Sequence, residues 1–137
     1  MIRPNRRTLV FSAHAADFCS RAGGAIARLL DAGGQVHIYD MTYGEKCESP
    51  ELWRQNPAFD LDEVKDIRRQ EIKAAAAVLG APIDCFDFGD SPLLLGPDRR
   101  MQILEAIRVF KPDLVLTHWT DDFMHPDHVE TTQAVLW

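Results

Sequence analysis

The chain is short of the residues that would staple it or tie it to a membrane. Cysteine occurs three times, at Cys19, Cys47 and Cys85. The number is odd and no CxxC pair is present, which excludes a disulfide scaffold and a thiolate zinc knuckle. Positive charge is in deficit, with 15 Lys+Arg against 21 Asp+Glu and a net charge of -6. A basic surface for nucleic acid or for an anionic membrane is excluded on that balance. No apolar run approaches the length of a membrane span. Arg3, Arg6 and Arg7 followed by Thr8 to Phe11 imitate the start of a signal peptide. Ser12 and His14 interrupt that stretch, however, and no small-residue cleavage site follows. A cytoplasmic protein is expected, with homo-oligomerisation left open.

What is present is an ordinary globular balance of 46% hydrophobic and 26% charged residues. A length of 137 residues suits one domain rather than two. Four apolar runs, Thr8 to Ala13, Gln35 to Thr42, Ile83 to Gly89 and Asp113 to His118, read as strands. Leu9-Val10-Phe11 and Leu114-Val115-Leu116 are continuous, as strands covered on both faces should be. Helical patterns alternate with them. The first runs from Ala22 to Ala32 with Ala22, Ala25, Ile26, Leu29 and Leu30 on one face, and Gly33-Gly34 stops it. Asp60 with Glu63 forms a capping box for a second helix that reaches Leu79, buries Val64, Ile67, Ala75 and Leu79, and ends at Gly80. A third spans Asp98 to Phe110 with Met101, Leu104 and Ile107 inward, and a fourth starts at Pro126 or Asp127. Strand alternating with helix predicts an α/β fold, a Rossmann-like parallel sheet with helices on both faces. The chain stops in mid-helix at Val135-Leu136-Trp137, so residues 1–137 are expected to be the N-terminal part of a longer single domain, truncated at its C-terminus. Tyr43 to Phe59 is too long for an idle connection and is expected to serve a site.

Parallel α/β folds bind ligands beyond the carboxyl ends of their strands. The first strand is followed by His14 and Asp17, and the second by Glu45 and Glu48. The third leads to Asp87 and Asp90. The fourth leads to His118, Asp121, Asp122, His125, Asp127 and His128. Four of the five histidines thus follow strands one and four. His14 and Asp17 lie three apart, and His125 and His128 repeat that spacing in H-P-D-H. Three nitrogen or oxygen ligands with one position left for water make a catalytic zinc arrangement. The glycines of Ala22-Gly23-Gly24 lack dinucleotide spacing. They are read as allowing the first helix to pack closely on the sheet.

The ordered set S-A-H-A-A-D-F, R-A-G-G-A, T-Y-G-E, I-R-R-Q-E and H-P-D-H resembles the PIG-L/LmbE-like family of zinc-dependent N-deacetylases, which have a Rossmann-like fold. The resemblance runs along essentially the whole chain. It implies His14, Asp17 and His128 as Zn²⁺ ligands, His125 as the histidine that polarises substrate or stabilises an oxyanion, and Asp127 as the residue orienting His125. One departure is decisive. Where the deacetylase motif A-H-P-D-D-E has its general base, this chain has Ala16, and Phe18 stands in place of the glutamate. A methyl group cannot accept a proton, and losing a positioned base costs roughly 10²–10⁴-fold.

The blocks S-A-H-A-A-D-F-x-x-R-A-G-G-A-I-A and G-E-x-x-E-S, with the following E-L-W-R, resemble the 4-oxalomesaconate hydratases more closely. That branch of the same family hydrates a carbon–carbon double bond in the bacterial breakdown of gallate and protocatechuate. The resemblance implies a zinc-dependent hydro-lyase acting on a small unsaturated keto polycarboxylate. The alternative is an N-deacetylase of an N-acetyl sugar or related amide. With Ala16 silent the base must come from elsewhere: Glu48 first, Glu45 second, with Asp90 also available. A polyanionic substrate calls for arginine. Arg68 falls at the substrate-binding position of the family's R-x-x-E motif, and Arg54 is the second choice. Arg21 is also available, and Arg69 reads as part of a solvated helix face.

Overall fold

The computed structural model describes residues 5–137; Arg3 lies outside them. The chain runs β1 (Arg7–Ser12), α1 (Asp17–Ser20), α2 (Gly23–Asp31), β2 (Gln35–Asp40), α3 (Pro50–Gln55), α4 (Leu61–Leu79), β3 (Ile83–Cys85), α5 (Pro97–Phe110), β4 (Leu114–Leu116) and α6 (Pro126–Leu136). All strand pairs are parallel and the spatial order is β3-β2-β1-β4. Leu9 aligns with His37 of β2 on one side and with Val115 of β4 on the other. The first connection runs outward from β1 to β2, and the last returns to β1's other side. β1 and β4 therefore flank the topological switch point of the sheet, where their following loops diverge.

The alternation of side chains along β1 divides the interior into two cores. Val10 packs with Val36, Ile38, Phe18, Ile26, Leu29, Ile72 and Ala76, beneath α1, α2 and α4. Leu9 and Phe11 pack on the opposite face with Met41, Phe88, Ile103 and Ala134, beneath α5 and α6. Both faces are covered, which is why the strand is continuously apolar.

Several boundaries and faces differ from the sequence reading. β3 stops at Cys85 although Phe86 and Phe88 still donate backbone bonds to Asp40 and Met41, because Asp87 turns into the left-handed region at φ 56°. α3 and the single turn of α1 are additional. The α3 start is built by Pro50 in its first turn, where the missing N–H costs nothing. On α5 the core anchor is Ile103, fully buried, whereas Met101 is 47% exposed. The inward row is Ile103, Ile107 and Phe110, a steeper i, i+4, i+7 stripe. On α4 the stripe centres on Val64, Ile72 and Ala76, with Ile67, Ala75 and Leu79 at its half-buried margins. Ala25 of α2 faces outward.

The capping box at Asp60 and Glu63 is present, and Gly80 closes α4 at φ 79°. Gly34 is required by space, since a Cβ there would stand 2.8 Å from the carbonyl oxygens of both Arg6 and Leu29. Gly23 and Gly24 do not play the packing role expected of them. A Cβ at Gly24 would meet nothing, and one at Gly23 would make only ordinary contact with the Phe18 carbonyl.

Candidate metal centre

His14 leaves the end of β1, and Asp17 opens α1, its carboxylate turned back to accept the His14 backbone N–H at 3.0 Å. Across the switch point, Pro126 starts α6 with His125 as its N-cap, which puts His128 in the first turn. These two segments meet. His14 Nδ1 lies 3.3 Å from Asp17 Oδ2, and His128 Nε2 lies 3.4 Å from the same oxygen. One donor atom from each of the three residues lies within 4.8 Å of the others. A tetrahedral ion with ligands at about 2.0–2.1 Å has donor–donor edges of about 3.3–3.4 Å, which the two edges to Asp17 match, and the His14–His128 edge is no longer than 4.8 Å. All three side chains are buried, and two imidazoles plus one carboxylate leave a fourth position open.

Each of these residues is gripped from behind. His14 Nε2 faces Asp127 Oδ2 at 3.1 Å, and His128 Nδ1 faces Asp122 Oδ2 at 2.9 Å. Arg21 Nε donates to Asp17 Oδ1 at 2.9 Å, leaving Oδ2 turned toward the histidines. Asp127 is itself fixed by the backbone N–H groups of Ser91 and Leu93. Such partners set the tautomer and aim of a ligand. His118 lies flat against His128, ring centroids 4.0 Å apart, and its Nε2 accepts the Ala13 backbone N–H at 2.9 Å.

The electrostatics favour a cation at the meeting point. Burial opposes a charge on His14, yet its bonds to Asp17, Cys47 and Asp127 outweigh that and raise its pKa to about 11. Burial likewise works against the Asp17 carboxylate, but His128, His14 and Arg21 hold it far below the usual carboxylate range. His128 is raised against its burial by Asp17 and Asp122. His118 goes the other way. Burial lowers it to about 4, which keeps it neutral and able to accept from Ala13.

The remaining residues singled out in the sequence separate clearly. Glu48 Oε2 accepts the backbone N–H of Ala16 at 3.0 Å, so its carboxylate stands beside the position where a deacetylase base would be. Gly44 makes room for it, because a Cβ there would lie 2.9 Å from the Glu48 Cβ. Arg68 Nη2 is 3.6 Å from the same Glu48 oxygen, while Arg68 also bonds the Tyr43 carbonyl and Glu71. His125 packs its ring 4.6 Å from that of His14 and accepts the Asp127 backbone N–H on Nδ1. Asp127, expected to orient His125, spends its carboxylate on His14 and stays 4.0 Å from His125 Nδ1.

Glu45 is fully buried, with neither carboxylate oxygen hydrogen-bonded among the described residues; burial raises its pKa, and Lys65 Nζ lies 4.0 Å away. Asp90 is a clasp rather than a base, accepting the backbone N–H groups of Lys46 and Cys47 and so shaping the loop that carries Glu48. Arg54 is on the exposed side of α3, paired with Glu51, and Arg69 lies over the Tyr43 ring. Asp122 and His118 were visible after the fourth strand but without a role. Neither stands at helical spacing from His128, so periodicity does not connect them.

Residues 9–137 match the PIG-L family, described as GlcNAc-PI de-N-acetylase. The chain belongs to this family. It is 41% identical over 128 residues to a 4-oxalmesaconate hydratase of Pseudomonas putida, covering 93% of this chain and 49% of the relative. It is 32% identical over 155 residues to a 1D-myo-inositol 2-acetamido-2-deoxy-alpha-D-glucopyranoside deacetylase of Rhodococcus jostii, covering 95% of this chain and 53% of that protein. Among solved structures, GalB, the 4-carboxy-2-hydroxymuconate hydratase from Pseudomonas putida, superposes with a TM-score of 0.90 at 37% identity, covering 98% of this chain and 55% of GalB. The chain spans about half the length of the curated relatives it matches. No helix among the described residues is long and apolar enough to cross a membrane.

Proposed function

We propose that the protein is a zinc-dependent hydratase that adds water across the double bond of 4-oxalomesaconate or a similar unsaturated keto polycarboxylate. The observation that carries this reading is the Glu48 carboxylate on the Ala16 backbone N–H. The residue that deacetylases of this family use as base is a methyl group here, and a carboxylate from the loop after β2 stands beside it instead. The relatives named as hydratases support the same choice.

His14, Asp17 and His128 would hold the zinc ion, which when bound supplies a Lewis acid for the electron density that builds on a ketone oxygen as water adds. Glu48 takes the proton from the attacking water. It is half-buried and braced by Ala16 on one side and Arg68 on the other, so it is aimed rather than free. His125, half-buried with its ring 4.6 Å from that of His14, donates a hydrogen bond to substrate. Asp127 holds His14 in the tautomer that presents Nδ1. Arg68 and, from the exposed side of α3, Arg54 supply guanidinium groups for substrate carboxylates.

The test is hydration of 4-oxalomesaconate by the purified protein before and after chelation, with zinc added back. The reading expects activity that chelator abolishes and zinc restores. Release of acetate from an N-acetyl sugar, with no hydration, would replace it with the deacetylase alternative.

A further inference from the structure

The two nitrogens of the His14 ring face two different groups of donors. Nδ1 points to Asp17 and His128, and Nε2 points to Asp127. Besides the first group, Cys47, His125 and Asp127 join His14 in a group whose donor atoms all lie within 4.8 Å of one another. We propose that Cys47, His125 and Asp127, beside His14, form a second metal site that takes a thiophilic ion such as Zn²⁺ or Cd²⁺ and thereby inhibits the enzyme. The inhibitory part rests on the proposed function, since it requires His14 and His125 to serve catalysis.

The site is held by two segments, the loop after β2 and the start of α6. Cys47 is positioned through its backbone N–H, which donates to Asp90 Oδ2 at 2.8 Å. His125 is fixed as the N-cap of α6, and Asp127 is tied by Leu93 N–H at 2.9 Å. Zinc bonds of about 2.3 Å to sulfur and about 2.0–2.1 Å to nitrogen or oxygen demand donor edges of about 3.4–3.6 Å, within side-chain adjustment of the observed spacing. His14 and Asp127 are buried, whereas Cys47 and His125 are half-buried, so an ion arrives from the Cys47 side.

While His14 keeps its Nε2 proton on Asp127, the second ion has three protein donors: a thiolate, an imidazole and a carboxylate. Binding releases the Cys47 thiol proton to solvent. The thiolate selects soft ions and leaves Mg²⁺ and Ca²⁺ out. An ion there occupies His125, which the proposed reaction uses toward substrate, and shares the Asp127 carboxylate that aims His14.

Cobalt titration of the purified protein tests this, in a Cys19→Ser background because Cys19 is an exposed free thiol. The expected result is two equivalents. The first gives visible d–d bands only, and the second adds a sulfur-to-cobalt charge-transfer band. Cys47→Ser should keep the first equivalent and lose that band, and its activity should tolerate at least about tenfold more zinc. A single equivalent, a second one without the sulfur band, or a band that persists in Cys47→Ser would overturn the proposal. His128→Ala separates the two readings. Loss of the first equivalent with the sulfur band retained supports both. A sulfur band that arrives with the first equivalent and survives His128→Ala keeps the thiolate site and removes the His14–Asp17–His128 assignment.

Discussion

Replacing Asp122 by asparagine probes the support behind His128. Asp122 Oδ2 lies 2.9 Å from His128 Nδ1, and Oδ1 accepts the backbone N–H groups of Met124 and His125. The hydrogen bond from His128 holds the Asp122 carboxyl below its ordinary range, as a bond made to the charged form should. An asparagine cannot reproduce both sets. If its amide faces His128, donor meets donor, and the imidazole must move its proton to Nε2, the atom that faces Asp17. If its carbonyl faces His128, the amide confronts two backbone donors instead. Either way a support of the proposed ligand His128 is lost, and metal affinity should fall by roughly 10–100-fold, or about 1.4–2.7 kcal/mol. The assay is competition for zinc against a chromogenic chelator, with far-ultraviolet circular dichroism to confirm the fold. An affinity within about twofold of the unaltered protein would refute the idea that Asp122 positions His128.

Other outcomes follow from the same geometry. Glu48→Gln should lower kcat for hydration by roughly 10²–10⁴-fold while zinc content stays unchanged, and a variant of normal rate would transfer the base role elsewhere. Ile103→Ala should cost about 2–5 kcal/mol in urea unfolding, against about 0.5 kcal/mol or less for Met101→Ala; equal costs would contradict the phase assigned to α5. Asp40 is fully buried, and burial raises its carboxyl well above the ordinary value despite the bond from Ser12. A folded-state pKa above the unfolded one means that stability is full at low pH and is lost as pH rises toward the folded pKa. Asp40→Asn should therefore gain in urea midpoint relative to the unaltered protein as pH rises, and parallel pH profiles would refute a neutral Asp40.

The fold was legible wherever burial writes a period into the chain. Leu9-Val10-Phe11 announced a strand covered twice, and Asp60 with Glu63 announced the start of α4. The meeting of His14 and Asp17 with His128 followed from one topological rule about strand ends. What stayed hidden depended on geometry that no local spacing encodes. The choice of Ile103 over Met101 is made by the opposing face of the sheet, where β1 supplies Leu9 and Phe11. The pairing of Asp127 with His14 spans 113 residues, and that of Glu48 with Ala16 spans 32. Glu45, attractive as a carboxylate beside a strand end, proved fully buried. Cys47, read as an ordinary thiol, has its sulfur within 4.8 Å of a donor atom of each of His14, His125 and Asp127.

In the proposed function, one zinc ion shared by His14, Asp17 and His128 supports addition of water to an unsaturated keto acid. The most direct test is the loss of the conjugated keto-acid absorbance, followed spectrophotometrically with zinc content measured on the same samples. The protein should consume 4-oxalomesaconate only when zinc is bound, and His128→Ala should lose ion and rate together. Undiminished hydration by a demonstrably metal-free His128→Ala protein would rule out a role for that ion in the reaction.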